Sequence, residues 1–260
     1  MHALLLAALI AQPIIAQEGG FISLSDDPAL SAWRQPKGGA WECKDGVISK
    51  VKGGTLFSEA MYEDFALRFE YKIPAGGNSG VFLRAPLSGR HSALGMEMQI
   101  MGDHGKPATT RSSGSLYDAK APDVAATNPD GEWNEVEVEF RGTRLKVTLN
   151  GQVTHDCDLD DPAINAGERE GKKLSQRGTR GYIGLQDHGH PVEFRNVRIQ
   201  ELPEDGFEPL LGGTLEGWTP LSEGSFAVQD GILTCTEAED GEPAFIKHER
   251  KLGDHELRLE

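Results

Sequence analysis

Two short stretches concentrate the residue types that do acid/base chemistry. In "GYIGLQDHGHPVEFRNVRI", residues 181–199, Asp187, His188 and His190 crowd together before a strand-like run. In "LGMEMQIMGDHG", Glu97 and Gln99 alternate with Met96, Met98 and Ile100, and Asp103 and His104 follow directly. An imidazole beside a carboxylate can pass a proton near neutral pH. The same atoms are common metal ligands, and His188 and His190, two apart on a strand, would share a face with Asp187 nearby. The third reading of "DHGH" is a solvated Gly-Pro turn. No HExxH or CxxC spacing selects a metal site, so these residues alone leave the three readings open. Glu97 is similarly divided: an outward carboxylate on a strand is either ordinary surface solvation or the lining of a groove.

Other stretches add polar groups. "GGNSGVFLRAP" runs from a Gly-rich turn containing Asn78 into a strand on which alternation sets Phe82 and Arg84 opposite Val81 and Leu83. Arginine can bind oxygens in bidentate fashion, although at a sheet edge it more often forms an ion pair. "SSGSLYDAKAP" groups Ser113, Ser115, Tyr117 and Asp118, one ring among hydrogen-bonding groups, which is the composition of many small-ligand sites. Asn134 in "GEWNEVEVEF" shares the face of Val136, where a buried amide needs partners and so would secure a strand end.

The elements that must position these groups are strands. In "DFALRFEYKI", Phe65, Leu67, Phe69 and Tyr71 share one face while Ala66, Arg68, Glu70 and Lys72 share the other. In "NEVEVEF", Val136, Val138 and Phe140 oppose Glu135, Glu137 and Glu139. This period of two marks half-buried antiparallel strands. Asn150-Gly151 after "RLKVTL" predicts a type I′ hairpin, and Asp45-Gly46 before "VIS" has the same turn chemistry. Val192 and Phe194 alternate in one phase and Val197 and Ile199 in the other, which predicts a bulge near Asn196. With 32 glycines and 14 prolines set between strand runs and no sustained 3.6-residue period, the fold class is an all-β sandwich. "PDVAATNPDGEW" and "DDPAINAGEREGKKLSQRGTRG" read as long loops, either functional or plain surface insertions.

Charge and composition narrow the partners. The net charge of -15, from 41 acidic and 26 basic residues, excludes a nucleic-acid backbone, which needs clustered Lys and Arg. Much of that acidity serves solubility, and a neutral ligand such as a sugar suits it. Residues 1–16, "MHALLLAALIAQPIIA", form an apolar run ending in a small residue, the pattern of a signal peptide, although no Lys or Arg precedes Arg34. The run is too short to span a bilayer, so the expected location is secreted or periplasmic with no membrane span. The three cysteines, Cys43, Cys157 and Cys235, form no metal-ligand spacing; a Cys43 to Cys157 disulfide is permitted in an oxidising compartment.

The chain also repeats itself. "FISL" at 21–24 answers "FEPL" at 207–210, Leu30 and Trp33 answer Leu215 and Trp218, Asp45-Gly46 answers Asp230-Gly231, and "DFALRFE" at 64–70 answers "DHELRLE" at 254–260. The expected organisation is a full domain over residues 20–202 and the incomplete start of a second copy over 205–260.

In this order, "GNSGVFLR", "EMQIMGDHG", "SGSLYD", "GEWNEVEVEFRG", "LNGQ" and "GYIGLQDHGHPVEFRNVRI" resemble the 3-keto-glycoside lyase/hydratase family, also labelled 3-keto-disaccharide hydrolase. The resemblance implies a concanavalin A-like jelly roll of two antiparallel sheets, exported from a bacterium and acting on glycosides oxidised at C3. The implied partner is a carbohydrate, a 3-keto-disaccharide or 3-keto-glucoside. No cofactor is required by it, and a divalent metal stays open. On the matching positions, Glu97 becomes the leading carboxylate and His188 with Asp187 the second acid/base pair. Asn78, Arg84, Gln99 and Tyr117 would hold substrate or enolate oxygens, and Asp103 and His104 would line the site or assist a metal. The competing reading is a non-catalytic carbohydrate-binding or adhesion module, since fold alone does not give function.

Overall fold

The computed structural model describes residues 20–165, 173–203, 211, 214–221, 225–229, 232–236 and 245–249. The apolar run 1–16 read as a signal peptide, the segments 207–210 and 254–260 read as parts of a repeat and the Asp230-Gly231 pair lie outside the described residues. The chain divides into two compact units, residues 1–205 and 206–260.

The first unit contains β1 (Ile22–Ser23), β2 (Trp33–Arg34), β3 (Ala40–Lys44), β4 (Val47–Lys52), β5 (Leu56–Tyr62), β6 (Phe65–Lys72), β7 (Asn78–Ala85), α1 (His91–Leu94), β8 (Met96–Met101), β9 (Trp133–Arg141), β10 (Arg144–Leu149), β11 (Gln152–Asp158), α2 (Pro162–Asn165), β12 (Gly181–Leu185) and β13 (Glu193–Glu201). One sheet runs β11-β10-β9-β6-β13-β4-β3, with β1 also paired to β13; the other runs β2-β5-β12-β7-β8, and every pairing is antiparallel. Two such sheets make the concanavalin A-like jelly-roll sandwich.

Alternation builds its interior. Phe65, Leu67, Phe69 and Tyr71 of β6 meet Val136, Val138 and Phe140 of β9 in one core, to which the second sheet contributes Val81, Leu83, Met96, Met98, Ile100, Ile183 and Leu185. The other face of β6 is a charge ladder: Arg68 donates to Glu137 on β9 at 2.7 Å, and Arg195 on β13 donates twice to Glu70, at 2.9 and 2.6 Å. The turns follow the sequence chemistry. Asn150 and Gly151 take φ of 48° and 76° and close the β10–β11 hairpin, as Asp45 and Gly46 close β3–β4 at 52° and 74°. The register slips between Arg195 and Arg198 with Asn196 at φ 52°, the expected bulge. Asn134 is buried and accepts from the Asn128 backbone N–H and from the Asn150 side chain, each at 2.8 Å, so it does secure a strand end.

The permitted Cys43 to Cys157 disulfide is ruled out by this topology. Cys43 lies on β3 and Cys157 on β11, the opposite edges of the larger sheet, and both are free thiols. At ~4.8 Å per strand step they are roughly 29 Å apart along the sheet, against a Cα limit of about 7 Å for a disulfide.

In the second unit, β14 (Trp218–Pro220) pairs with β17 (Ile246–His248), and β15 (Ser225–Gln229) forms a hairpin with β16 (Ile232–Thr236). No helix among the described residues is long and apolar enough to cross a membrane.

Candidate active site

The smaller sheet turns its second face to the site. On β8, Met96, Met98 and Ile100 enter the core, which forces Glu97 and Gln99 outward. Their partners across β7 are Phe82 and Gly80. Glycine at 80 matters because a Cβ there would come within 2.8 Å of Glu97 Oε1. The bare backbone leaves the space in which the carboxylate lies.

Loops close over this face. Residues 112–118 run beside β8, where Gln99 and Tyr117 N–H groups donate to the Ser115 and Glu97 carbonyls at 3.0 and 2.9 Å, and Gly114 N–H donates to Gln99 at 2.8 Å. The turn ahead of α1 brings Arg90 and α1 itself brings Ser92 to the rim, and the segment that follows β12 brings Gln186 and His188. Together Asn78, Arg90, Ser92, Glu97, Gln99, Tyr117, Gln186 and His188 line a polar cleft of about 230 Å³.

At its base Glu97 is only 4% exposed. Gln186 Nε2 donates to Glu97 Oε1 at 2.9 Å. With its amide nitrogen turned to the carboxylate, Gln99 donates to the same Oε1 at 3.1 Å and to the Ser79 carbonyl at 3.1 Å. Burial pushes the Glu97 pKa up to about 7, against the opposing pull of the Gln186 hydrogen bond and the Arg90 charge; Asp118 adds a little in the upward direction. A carboxyl group so placed is divided between acid and base at neutral pH. Oε1 is occupied by amides, while Oε2 has no hydrogen bond among the described residues, leaving it for a substrate proton.

Five of the residues expected from sequence therefore converge: Asn78, Glu97, Gln99, Tyr117 and His188. Four do not. Arg84 is buried at 2% exposure, donating to the Glu63 and Gly142 carbonyls at 2.7 and 2.8 Å and to Asp64 at 3.1 Å, with its guanidinium 4.2 Å from the Phe140 ring centroid. The cause is a left-handed residue: Arg84 takes φ 50°, the β7–β12 register shifts there, and alternation reverses, so that Ala85 rather than Arg84 joins Phe82 on the outer face. Asp187 faces away from the cleft. It pairs with Lys50 and accepts from the Gly54 and Gly189 N–H groups at 2.9 and 2.8 Å. Burial would raise its pKa, but Lys50 and the two N–H groups outweigh burial and hold it below the usual carboxylate range. It pins the β4–β5 turn and is unsuited to proton transfer or to ligation with His188.

Asp103 and His104 also serve loops. Asp103 accepts from the Ser113 N–H at 3.1 Å, and His104 Nδ1 donates to the Thr127 carbonyl at 2.7 Å. No group of three or more His, Cys, Asp or Glu side chains converges as a metal site among the described residues.

Sequence reasoning missed Arg90, Ser92 and Gln186. For Gln186 a signal existed: Ile183 and Leu185 enter the core, so Gly184 and Gln186 must face out. Arg90 and Ser92 lie in a turn and a four-residue helix, where no strand parity applies.

Residues 20–200 match the model of the 3-keto-alpha-glucoside-1,2-lyase-like domain. A 3-keto-disaccharide hydrolase from Bacteroides thetaiotaomicron is 25% identical over 234 residues, covering 70% of this chain and 79% of that protein. Two solved structures of candidate glycosyl hydrolases from Parabacteroides distasonis superpose with TM-scores of 0.63 and 0.61 at 25% identity. They cover 70% and 71% of this chain and 99% and 94% of their own. The matched stretch includes every residue lining the cleft, and this chain belongs to the 3-keto-alpha-glucoside-1,2-lyase-like domain family.

Proposed function

We propose that the chain cleaves 3-keto-glycosides by elimination, with Glu97 as the base that removes the C2 proton. A ketone at C3 acidifies that proton. Its transfer to Glu97 Oε2 leaves an enolate; the electron pair then forms the C1–C2 double bond as the C1–O bond breaks. His188, on the cleft wall, protonates the departing oxygen. Arg90, Asn78 and Tyr117 are the donors available to the enolate oxygen, the charge such sites must stabilise. Addition of water to the resulting glycal gives net hydrolysis of a 3-keto-disaccharide, the activity for which the Bacteroides relative is named. Glu97, acting again as acid and base, can serve that step as well.

The observation that carries this reading is the state of Glu97: a buried carboxylate, held by two amides on one oxygen, with a pKa of about 7. General bases work best with a pKa near the operating pH. Among the described residues that line the cleft, Glu97 is also the only carboxylate. Direct glycoside hydrolysis ordinarily employs two carboxyl groups flanking the bond, whereas elimination beside a ketone needs one. The apolar run at 1–16 supports action in the secreted or periplasmic space.

The test is incubation of the full chain with 3-keto-trehalose or a 3-keto-glucoside while free glucose or aglycone and glycal absorbance are followed. Consumption with a transient or persistent glycal is expected. Binding without consumption would overturn the enzymatic reading in favour of a carbohydrate-binding module.

A further inference from the structure

Gln186 occupies a position that the reaction outlined above does not use. Its backbone is clamped to β7 from both sides: its N–H donates to the Gly80 carbonyl at 2.9 Å, and its carbonyl accepts from Ser79 Oγ at 2.8 Å. The side chain is thereby delivered to Glu97, where Nε2 donates at 2.9 Å. The other end of the same amide is anomalous, because Gln186 Oε1 is buried without a hydrogen-bond partner among the described residues. Buried acceptors are ordinarily paired, and an orphan is costly. Nothing that holds the carbonyl would be lost if the amide turned over.

We infer that Gln186 is a positioning residue that serves Glu97 in both of its protonation states, donating through Nε2 to the carboxylate and, with the amide reversed, accepting through Oε1 from the carboxylic acid. The proton removed from substrate reaches Glu97 Oε2; a half-turn of the carboxyl group then brings the new O–H to the oxygen position beside Gln186, where the reversed amide accepts from it while Gln99 still donates to the same oxygen, and the reverse sequence returns the proton to the substrate side. An amide is suited to this because its two ends are a donor and an acceptor of nearly equal shape. A residue with only donors would hold the anion and oppose the acid. Gln99 cannot substitute, since its nitrogen is shared with the Ser79 carbonyl. The other charged or titratable groups about Glu97 are Arg90 and Asp118, which act through space, and Tyr117 and His188 on the cleft walls. None of these donates to the carboxylate among the described residues.

The inference deepens the reading of Glu97 as base and rests on it, but it can be tested without substrate. In the full chain labelled with 13C-glutamate and 15N-glutamine, the Glu97 carboxyl resonance, assigned by its loss in Glu97→Gln, should titrate near pH 7, and the Gln186 side-chain amide resonances, assigned by their loss in Gln186→Met, should move with the same midpoint. In Gln186→Met the carboxylate and the acid each lose a hydrogen bond, so the Glu97 midpoint should stay within about half a pH unit, whereas an amide serving the anion alone would let it rise by about one. Gln186 amide signals that ignore the Glu97 titration would overturn the proposal, and so would a rise of about one pH unit or more in the Glu97 midpoint of the folded variant. If Gln186→Met fails to fold, the wild-type amide titration alone decides.

With a 3-keto-glucoside, Gln186→Met should lose roughly tenfold or more in kcat, with KM within about threefold and the acidic limb of the pH profile within about half a pH unit of its wild-type position. A loss confined to KM would contradict a positioning role. If the wild type proves inactive on every 3-keto-glycoside while the coupled titration is seen, the proposed substrate class fails and the Gln186 inference stands.

Discussion

At the scale of single residues, Glu97 shows how one carboxylate is set apart from the acidic surface around it. Its folded pKa of about 7 lies above the ordinary glutamate value, so the folded chain binds its proton more tightly than the unfolded chain. The stability this provides is complete below the unfolded pKa and is lost as pH rises through 7. Glu97→Gln should therefore leave thermal stability nearly unchanged at pH 4 and raise it at pH 8, by about 3 kcal/mol at most, or roughly 6–12 °C in Tm. A melting series across that range checks it. Arg84 gives the opposite case, a charged group buried for structure. Arg84→Met would strand the Asp64 carboxylate, costing about 3–5 kcal/mol, while the folded fraction keeps its KM for a 3-keto-glucoside. Denaturant unfolding and steady-state kinetics on the same preparation separate the two effects.

At the scale of elements, the regular strands were legible and the interruptions were not. Alternation correctly placed the apolar and polar faces of β6, β8, β9 and β10, because each keeps one phase along its length. It failed at Arg84, where a single left-handed residue reverses the phase, a conformation that arginine does not advertise. It was silent for Arg90 and Ser92, which lie outside strands. Asp187 was misplaced for another reason: its partner Lys50 is distant in sequence, and no local pattern announces such a pair. Loop placement depends on equally distant contacts. His155 on β11 is fully buried and donates through Nε2 to the Gly114 carbonyl at 2.8 Å, tying the Tyr117-bearing loop to the far edge of the other sheet. Burial lowers its pKa to about 4, so the folded state binds fewer protons than the unfolded one and stability falls as pH drops from 6.5 toward 4. His155→Gln keeps a donor and removes the titration; its stability should decline less steeply over that interval, by about 3 kcal/mol at most. Parallel acid-unfolding curves would show the difference, and coincident curves would remove His155 from the account.

At the scale of the molecule, the jelly roll and the family were legible because many independent strands and six ordered blocks agree. The disulfide was not, because sheet order decides it and sheet order is not written in cysteine spacing. With Cys43 and Cys157 on opposite edges, all three cysteines should react with a thiol reagent after unfolding without reductant, and reduction should not change the melting temperature. The larger claim is that one buried carboxylate, exposed to substrate on one oxygen, makes this sandwich an elimination catalyst. Turnover of a 3-keto-glucoside by Glu97→Gln in D2O, with exchange at C2 followed by NMR, tests that most directly. The account predicts a loss of about a hundredfold or more in both turnover and C2 exchange; turnover or exchange close to that of the wild type would contradict it.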